Sequence, residues 1–385
     1  MMNKLVSKGL LVALGLLAGP VSFAAGEPVK HYTELKRENF QKEVDGKQTD
    51  LYTIKNKSGM VVKITNQGAK IEQILVRDKK GVLGDVAQGY ETIDQVIGGQ
   101  AAMGAFIGRH ANRIAKGKFS LNGQDYQLTI NNGVNHLHGG TKGSRFVVFD
   151  AKQIDESTVQ MSYLFKDGEE GYPGNTPLRV LYTVTPKNEL VVTYDATTDK
   201  DTIVNFTSHT FFNLAGEGNG DVLNHVVTMN SDSYTPVDDT LIPTGEILSV
   251  KGTPMDFTKP HKIGERIGAD YAQLKLGKGY DHNWVLNKAP NEMGFVARVY
   301  EPTSGRVMNV YSNEPGMQLY TGNFLEGKVP RDVGKGGHVY HFRTGFSLEP
   351  HHFPNAPNQP NFPTTVLKAG DWYSGKIIYA FSVKK

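Results

Sequence analysis

The sequence has 385 residues, a formal net charge of +3 and no cysteine. The lack of cysteine excludes disulfide bonds and cysteine-ligated metal sites. Acidic and basic residues are interspersed without a strongly basic cluster, so we expect no nucleic-acid partner. About 360 residues remain after an N-terminal leader, and a chain of that size can bury a core that folds without cross-links.

Residues 1–25 are predicted to be a signal peptide. Lys4 and Lys8 precede an apolar run at 9–17, and small residues follow at 22–26. The apolar run is too short to span a membrane, and no later stretch approaches the roughly 18 apolar residues that a spanning helix needs. We therefore expect an exported protein, periplasmic or secreted, with no membrane partner.

The remaining residues, 26–385, are predicted to form one all-β domain. Residues 119–121 and 126–128 flank Asn122-Gly123, a dipeptide suited to a tight hairpin turn. Short runs rich in β-branched and aromatic residues predict further strands at 159–165, 180–184, 190–194 and 203–206. Only 91–97 and 263–274 have a helical pattern, and no linker divides the chain. These features favour a single large antiparallel β-sandwich with few short helices.

The segment 107–114 is the first polar cluster, with Arg109, His110, Asn112 and Arg113 between apolar residues. Guanidinium and amide groups offer several donors and one acceptor in fixed geometry, which suits a polyhydroxylated ring. Ordinary surface salt bridges for both arginines are the alternative.

His136 and His138 form a second cluster. In an extended segment, residues two apart point to the same face. A zinc site would need a further histidine or carboxylate, so this pair alone is a weak indication of metal. The adjacent Gly139 and Gly140 favour a loop whose backbone closely approaches a ligand.

His209 and Glu349 are the candidate acid and base. His209 ends a polar triplet after an alternating apolar segment, a pattern typical of a strand end. Glu349 follows a short predicted strand and precedes five prolines in 350–363, which exclude an α-helix there.

Two further segments contain polar side chains beside aromatic ones. Asp281 lies three residues before Trp284, whose ring is predicted either to stack on a sugar or to belong to the core. Gln318 lies in a predicted strand within 314–323 and can both donate and accept hydrogen bonds.

Together these segments resemble the aldose 1-epimerase family, also called galactose mutarotases, over nearly all of residues 26–385. The matching segments are 108–114, 131–140, 171–174, 205–214, 280–282, 314–325 and 348–363. The resemblance implies a galactose mutarotase-like β-sandwich with an open sugar cleft. It also implies an isomerase that interconverts the α and β anomers of free aldoses such as galactose and glucose, without cofactor or metal.

The resemblance also implies a role for particular residues. Glu349 is expected to be the general base and His209 the general acid. The residues expected to bind the sugar are Asn112, Arg113, His138, Asp281 and Gln318, with Thr210 and Phe211 beside the acid. Relative to many family members, the chain differs after Glu349, where Pro350-His351 replaces a small residue and glutamine.

A nearby carboxylate is expected to keep His209 protonated. The rate should then fall at low pH as Glu349 is protonated, and at high pH as His209 loses its proton. Two other functions compete with this one. A glycoside hydrolase would use Asp281 and Glu349 as paired carboxylates, and a carbohydrate-binding protein would keep the cleft without chemistry.

Overall fold

Antiparallel strands dominate the computed structural model, which describes residues 31–384. The predicted signal peptide lies outside the described residues. The α-helices within residues 31–384 are short, namely α1 (Ile93–Gly98), α2 (Ile263–Arg266) and α3 (Ala272–Gly277). In this part of the chain no helix has the length and apolar character needed to cross a membrane. The predicted all-β class is confirmed.

The strands follow one another along the whole described chain. The first part contains β1 (Glu43–Val44), β2 (Lys47–Gln48), β3 (Leu51–Lys55), β4 (Val61–Thr65), β5 (Lys70–Arg77), β6 (Leu83–Asp85), β7 (Phe106–Ile107), β8 (Arg113–Ile114), β9 (Lys118–Leu121), β10 (Gln124–Gln127) and β11 (His136–Leu137). The middle part contains β12 (Asp150–Asp155), β13 (Thr158–Phe165), β14 (Thr176–Val184), β15 (Glu189–Thr197), β16 (Thr202–Ile203), β17 (Thr207–Ser208), β18 (Phe211–Phe212), β19 (Val226–Met229) and β20 (Ser233–Thr235). The last part contains β21 (Leu248–Ser249), β22 (His261–Lys262), β23 (Asp281–Val285), β24 (Gly294–Tyr300), β25 (Arg306–Ser312), β26 (Gly316–Tyr320), β27 (Phe346–His351), β28 (Val366–Leu367) and β29 (Trp372–Val383).

Two large sheets enclose the main core. The nine-stranded sheet has the order β12-β13-β14-β15-β29-β25-β24-β19-β22, and the six-stranded sheet has the order β18-β27-β26-β23-β20-β21. Tyr379 of β29 donates a hydrogen bond to the carbonyl of Leu348 in β27 at 3.1 Å, and its ring lies 5.1 Å from that of Phe212. Because both sheets contribute buried apolar residues to one cluster, their facing surfaces form the interior of a sandwich.

The alternation of side chains in β27 gives the six-stranded sheet a polar second face. Phe346 and Leu348 belong to the core cluster, and since successive strand residues point to opposite faces, Ser347 and Glu349 point away from that core. Glu349 is paired with Gln318 of the neighbouring strand β26. The polar face therefore carries the predicted base and a predicted ligand-binding amide side by side.

Most predicted strands and turns are confirmed. Strands β9 and β10 form the predicted hairpin, with Asn122 and Gly123 at φ 52° and 78°. Residues 203–206 are not one strand, because β16 ends at Ile203 and β17 begins at Thr207. Between them the buried side chain of Asn205 bonds the backbone of His352 in both directions, at 3.0 and 2.9 Å, and this pairing interrupts the ladder.

The two predicted helices differ in outcome. The first, predicted at 91–97, is α1, and the Thr92 hydroxyl caps it by accepting the amide of Gln95 at 3.3 Å. The second, predicted at 263–274, is divided into α2 and α3. Gly268 and Asp270 lie in the gap, and both residue types disfavour a helix interior.

Glu349 lies within a strand rather than at its end. Strand β27 continues through Pro350 to His351. Its neighbour β18 pairs only with Phe346 and Ser347, so no strand of that sheet pairs with Pro350 on that side, where the Pro350 carbonyl accepts the Thr207 hydroxyl at 2.9 Å. Proline is tolerated at such an edge because no ladder hydrogen bond is lost.

Candidate active site

A cleft of about 320 Å³ lies over the polar face of the six-stranded sheet. Eight of the nine predicted site residues line it: Asn112, Arg113, His138, His209, Phe211, Asp281, Gln318 and Glu349. These residues come from segments far apart in the chain, so the sandwich brings them together at one place.

His209 and Glu349 meet inside this cleft. The Nε2 atom of His209 lies 3.4 Å from Oε1 of Glu349. Both side chains are buried, at 5% and 1% residue exposure. A candidate acid and base thus face the same ligand volume, close enough to exchange a proton through a bound hydroxyl.

Backbone contacts hold His209 between β17 and β18. Its amide donates to the carbonyl of Ala105 at 2.8 Å, and its carbonyl accepts the amide of Gly104 at 3.1 Å. The imidazole stacks on the ring of Phe211 at a centroid distance of 5.0 Å. The two hydrogen bonds fix the backbone of His209, and the stacking limits rotation of its imidazole.

Thr210 is the predicted site residue that does not line the cleft. It is fully buried, and its hydroxyl oxygen lies 3.2 Å from that of Ser208. His209 and Phe211 point into the cleft, so the intervening residue points away by simple alternation. Thr210 lies beside the acid in sequence, but on the opposite side of the chain.

Burial favours the neutral form of Glu349. Burial raises the pKa of its carboxyl well above the ordinary value, and the charge of Asp281 raises it further. The nearby Ser347 hydroxyl and the charge of Arg113 oppose this change in pKa, but their effects are smaller. The structure therefore favours a protonated Glu349.

Burial also favours the neutral form of His209, so the expectation of a protonated imidazole is wrong. Burial lowers the pKa of His209 from 6.5 to about 3, and the charges of Arg145 and His351 lower it further. Burial likewise favours the protonated form of the carboxylate that was expected to stabilise the imidazolium, because desolvation disfavours the charged form of each group.

The two groups nevertheless hold one proton between them. A neutral histidine beside a protonated glutamate has the same total number of protons as an imidazolium beside a carboxylate. Because the groups are 3.4 Å apart, we expect them to titrate as a coupled pair. The pair can supply one proton to a ligand atom and accept one from another.

Asp281, Arg113 and Gln318 form a hydrogen-bonding group next to this pair. Oδ2 of Asp281 lies 3.8 Å from Nη1 of Arg113, and Oδ1 accepts from Nε2 of Gln318 at 2.8 Å. Burial raises the pKa of Asp281, and the charge of Arg113 opposes that change. The group offers both donors and acceptors, as hydroxyl recognition requires.

The tautomer of His138 follows from its contact with Asn112. The amide of Asn112 donates to Nδ1 of His138 at 3.1 Å. Nδ1 therefore lacks a proton, and the neutral ring carries its proton on Nε2. Both residues have left-handed backbone, with φ of 62° and 52°, a strained conformation that often marks functional sites.

This tautomer bears on a possible metal site. One ligand atom from each of His138, His209 and Glu349 lies within 4.8 Å of the others. A metal would need the lone pair on Nε2 of His138, but that nitrogen carries the proton. The other histidine of the His136 and His138 pair, His136, contacts the Thr129 carbonyl and the Tyr172 hydroxyl, both at 2.7 Å. The side chains therefore suit hydroxyl groups better than a cation.

Three residues for which a ligand contact was one alternative have structural roles, and for Trp284 this is the core alternative. Arg109 is buried, neither on the surface nor in the cleft, and donates to the carbonyl of Gly174 at 2.8 Å. Trp284 is fully buried in the core, and its Nε1 donates to the Met255 carbonyl at 3.0 Å. A Cβ atom on Gly139 would lie 1.9 Å from the Gly108 carbonyl oxygen, so this glycine permits a backbone contact rather than a ligand contact.

Several residues that line the cleft were not predicted. They are Gln100, Ala101, Ala102, Met103, Asn132, Leu137, Arg145, Tyr320, Phe324 and Leu325. Tyr320 lies two residues after Gln318 in β26, so strand alternation alone places it on the same face. The other residues lie outside that strand and have no comparable local signal.

Comparison with known proteins agrees with this geometry. The family model described as Aldose 1-epimerase matches residues 50–380. Galactose mutarotase of Bos taurus is 44% identical over 322 residues, which is 84% of this chain and 91% of that protein. Aldose 1-epimerase of Escherichia coli K12 is 35% identical over 344 residues, covering 88% of this chain and 96% of the relative.

Solved structures show the same similarity. The GalM/aldose epimerase homologue from C. elegans has a TM-score of 0.80 at 30% identity, covering 88% of this chain and all of that one. Galactose 1-epimerase from Lactobacillus acidophilus has a TM-score of 0.78 at 28% identity, covering 91% of this chain and all of that one. The chain belongs to the aldose 1-epimerase family.

Proposed function

We propose that this protein interconverts the α and β anomers of free aldohexoses such as galactose and glucose, with Glu349 as general base and His209 as general acid. The observation that carries the proposal is the 3.4 Å separation of Nε2 of His209 and Oε1 of Glu349 in a cleft lined with hydroxyl-binding groups. Asn112, Arg113, His138, Asp281 and Gln318 hold the sugar, with Phe211 supporting the acid.

Ring opening requires two proton transfers. The Glu349 carboxylate takes the proton of the C1 hydroxyl, and the electrons of that O–H bond form the C1=O1 double bond. The C1–O5 bond breaks, and the ring oxygen takes the proton of the His209 imidazolium. Rotation about C1–C2 then turns the other face of the aldehyde toward O5, and the reverse transfers close the ring as the opposite anomer.

The neutral form of both groups corresponds to the open-chain stage of this reaction. After ring opening, Glu349 holds the proton from O1 and His209 has given its proton to O5. That protonation state is the one that burial favours, since burial raises the pKa of Glu349 and lowers the pKa of His209. The buried site thus favours the state of the enzyme that accompanies the open-chain aldehyde.

Polarimetry tests the proposed activity directly. The optical rotation of freshly dissolved α-D-galactose and α-D-glucose should reach equilibrium faster with the protein than without it, after correction for spontaneous mutarotation. A glycoside hydrolase would instead release the aglycone of an aryl galactoside, and a binding protein would change neither signal. No acceleration with either sugar would refute the proposal.

The pH dependence of kcat/KM should be broad. This parameter reports the free enzyme, in which the one-proton pair is the active form. A second proton must charge His209, whose pKa is about 3, so the acid limb lies far below 6.5. Loss of the shared proton must charge Glu349, whose pKa is raised well above its ordinary value, so the alkaline limb is displaced upward.

This profile reverses the assignment expected from the sequence, since His209 now controls the acid limb and Glu349 the alkaline one. Initial rates by polarimetry in buffers from about pH 3 to 10 would measure it. An acid limb centred near 6.5, the ordinary histidine value, would contradict the displaced pKa of His209.

Arg113→Ala should weaken binding as well as turnover. The substitution removes a forked donor from the cleft and leaves the buried Asp281 carboxylate without its partner at 3.8 Å. We expect KM for α-D-galactose to rise by about tenfold or more, with a smaller fall in kcat. Arg179→Ala is a matched control, because Arg179 pairs with Asp195 at 2.8 Å on the surface. A rise in KM only in the Arg179 variant would be inconsistent with the role of Arg113.

We also propose that the protein acts outside the cytoplasm, in the periplasm or after secretion. The supporting feature is the signal-peptide pattern of residues 1–25. N-terminal sequencing of protein recovered from cell fractions would test this. Protein that keeps Met1 and stays in the cytoplasmic fraction would refute export.

A further inference from the structure

Arg145 is a buried cation that lines the cleft. The residue is 8% exposed. Its Nη2 makes one long hydrogen bond to the Gly140 carbonyl, at 3.4 Å, while its Nε has no hydrogen-bond partner. The guanidinium carbon lies 4.8 Å from the centre of the Phe146 ring. No carboxylate of residues 31–384 comes within the 4.0 Å that defines an ion pair with this side chain.

Glu170 is the carboxylate that raises the pKa of Arg145. Its oxygens already accept hydrogen bonds from other groups. Its oxygens accept the backbone amides of Thr141 and Lys142 at 2.9 and 2.8 Å, and also the hydroxyl of Thr129. Glu170 therefore attracts Arg145 only at a distance, and the guanidinium keeps unused donors.

The charges in the cleft do not balance without an anion. Arg113 faces Asp281 at 3.8 Å, and the His209 and Glu349 pair is neutral overall. Burial lowers the pKa of Arg145 to about 10, so the side chain remains charged at neutral pH. A buried charge without a partner is costly, and an anionic ligand group would remove that cost.

Arg145 lies on the side of the cleft that contains His138 and His209, because it donates to the carbonyl of Gly140, two residues after His138, and the His138 ring lies 5.2 Å from the His209 ring. Its charge lowers the pKa of both His209 and His138. In the proposed reaction, His209 faces the ring oxygen O5. The ring carbon beyond O5 is C5, which carries C6. Because O1 faces Glu349 in this pose, C5 and C6 lie beyond O5, on the side of the cleft that Arg145 lines.

We propose that Arg145 binds a carboxylate at C6, so that the substrates of this cleft include hexuronates such as D-galacturonate. This inference rests on the proposed function, because the pose of the sugar follows from the roles of His209 and Glu349. A planar guanidinium matches a carboxylate through two parallel hydrogen bonds. The lysine or arginine residues that line the cleft are Arg113 and Arg145, and Arg113 already faces Asp281. One unpaired cation matches the single charge of a carboxylate better than the double charge of a phosphate.

The test compares three sugars by polarimetry: D-galacturonate, D-galactose and D-galactose 6-phosphate. Arg145→Gln should lower kcat/KM for galacturonate at least about tenfold more than for galactose, as expected for loss of a charged hydrogen bond. Arg145→Lys, which keeps the charge but not the fork, should show a smaller selective loss. If Arg145→Gln does not fold, Arg145→Lys still tests the inference.

Lys142→Gln is the matched control, since it removes one exposed positive charge from the same loop. In this control the ratio of kcat/KM for galacturonate to kcat/KM for galactose should stay within about twofold of the wild-type ratio, because exposed charges are screened. Equal losses on galacturonate and galactose in the Arg145 variants would overturn the inference. A larger selective loss on galactose 6-phosphate would also overturn it, as would a wild-type protein that is active on galactose but inactive on galacturonate. Failure of the wild type on galactose would instead refute the proposed function.

Discussion

Glu349→Gln should reduce the rate of mutarotation by about 10²- to 10⁴-fold while sugar binding is largely retained. Glutamine has nearly the shape of a protonated glutamate and keeps a hydrogen bond, but it cannot take the proton of the C1 hydroxyl. Burial already favours the protonated form of Glu349, so the neutral amide should fit the same space. The loss should therefore appear in kcat rather than in folding or in KM.

Two measurements separate these effects. Polarimetry gives kcat and KM for α-D-galactose, and the rise in melting temperature with added galactose reports binding by mass action. Glu38→Gln is a control in which the same change is made at an exposed position. Wild-type turnover in the Glu349 variant would exclude its role as base, whereas a loss of the galactose-dependent shift would assign it to binding.

The polar face of the cleft could be read from sequence once the strands were recognised. In β27 the order Phe346, Ser347, Leu348, Glu349 alternates apolar and polar residues, and the apolar members belong to the core. The same period in β26 predicts that Tyr320 joins Gln318. Alternation also explains why Thr210 points away from the cleft, although its neighbours point into it.

The protonation of the acid and base could not be predicted from the sequence. A carboxylate near His209 was expected to stabilise the imidazolium, and the two side chains do lie 3.4 Å apart. Their burial decides the outcome, because desolvation has the largest effect on each pKa and disfavours both charges. Burial of this kind depends on all the strands around the cleft and has no local signature.

The place of Arg145 in the cleft could not be predicted from the sequence either, because it also depends on burial. It follows a glycine-containing loop that also holds the predicted His138, but nothing adjacent indicates that its side chain is buried. Its position depends on Gly140 and Phe146, and its importance depends on the lack of an ion pair. Only the complete list of charges in the cleft separates it from an ordinary surface arginine such as Arg179.

Asp281 also distinguishes this site from a hydrolase. In a glycosidase with Asp281 and Glu349 as its carboxylates, the aspartate would have to act as nucleophile or base. Here its two oxygens face Arg113 at 3.8 Å and accept from Gln318 at 2.8 Å. A carboxylate held in this way is suited to position hydroxyl groups. The acid and base roles then fall to the pair formed by His209 and Glu349.

His209→Asn should lower kcat by about 10²- to 10⁴-fold, since it removes the group that protonates the ring oxygen. Asparagine keeps a donor near the same position but cannot carry an extra proton. The smaller side chain also gives up the stacking on Phe211, so a modest fall in melting temperature is expected. His341→Asn, at an exposed histidine, is the control.

The double variant of His209→Asn and Glu349→Gln gives the sharper result. Proton transfer at O5 and at O1 belongs to one ring-opening step, so once one partner is absent the other has little left to contribute. The double variant should therefore be no more than about tenfold slower than the slower single variant, as for groups that act as a unit. If its loss equalled the product of the two single losses, the residues would be acting independently. The coupling implied by their 3.4 Å separation would then have no part in catalysis.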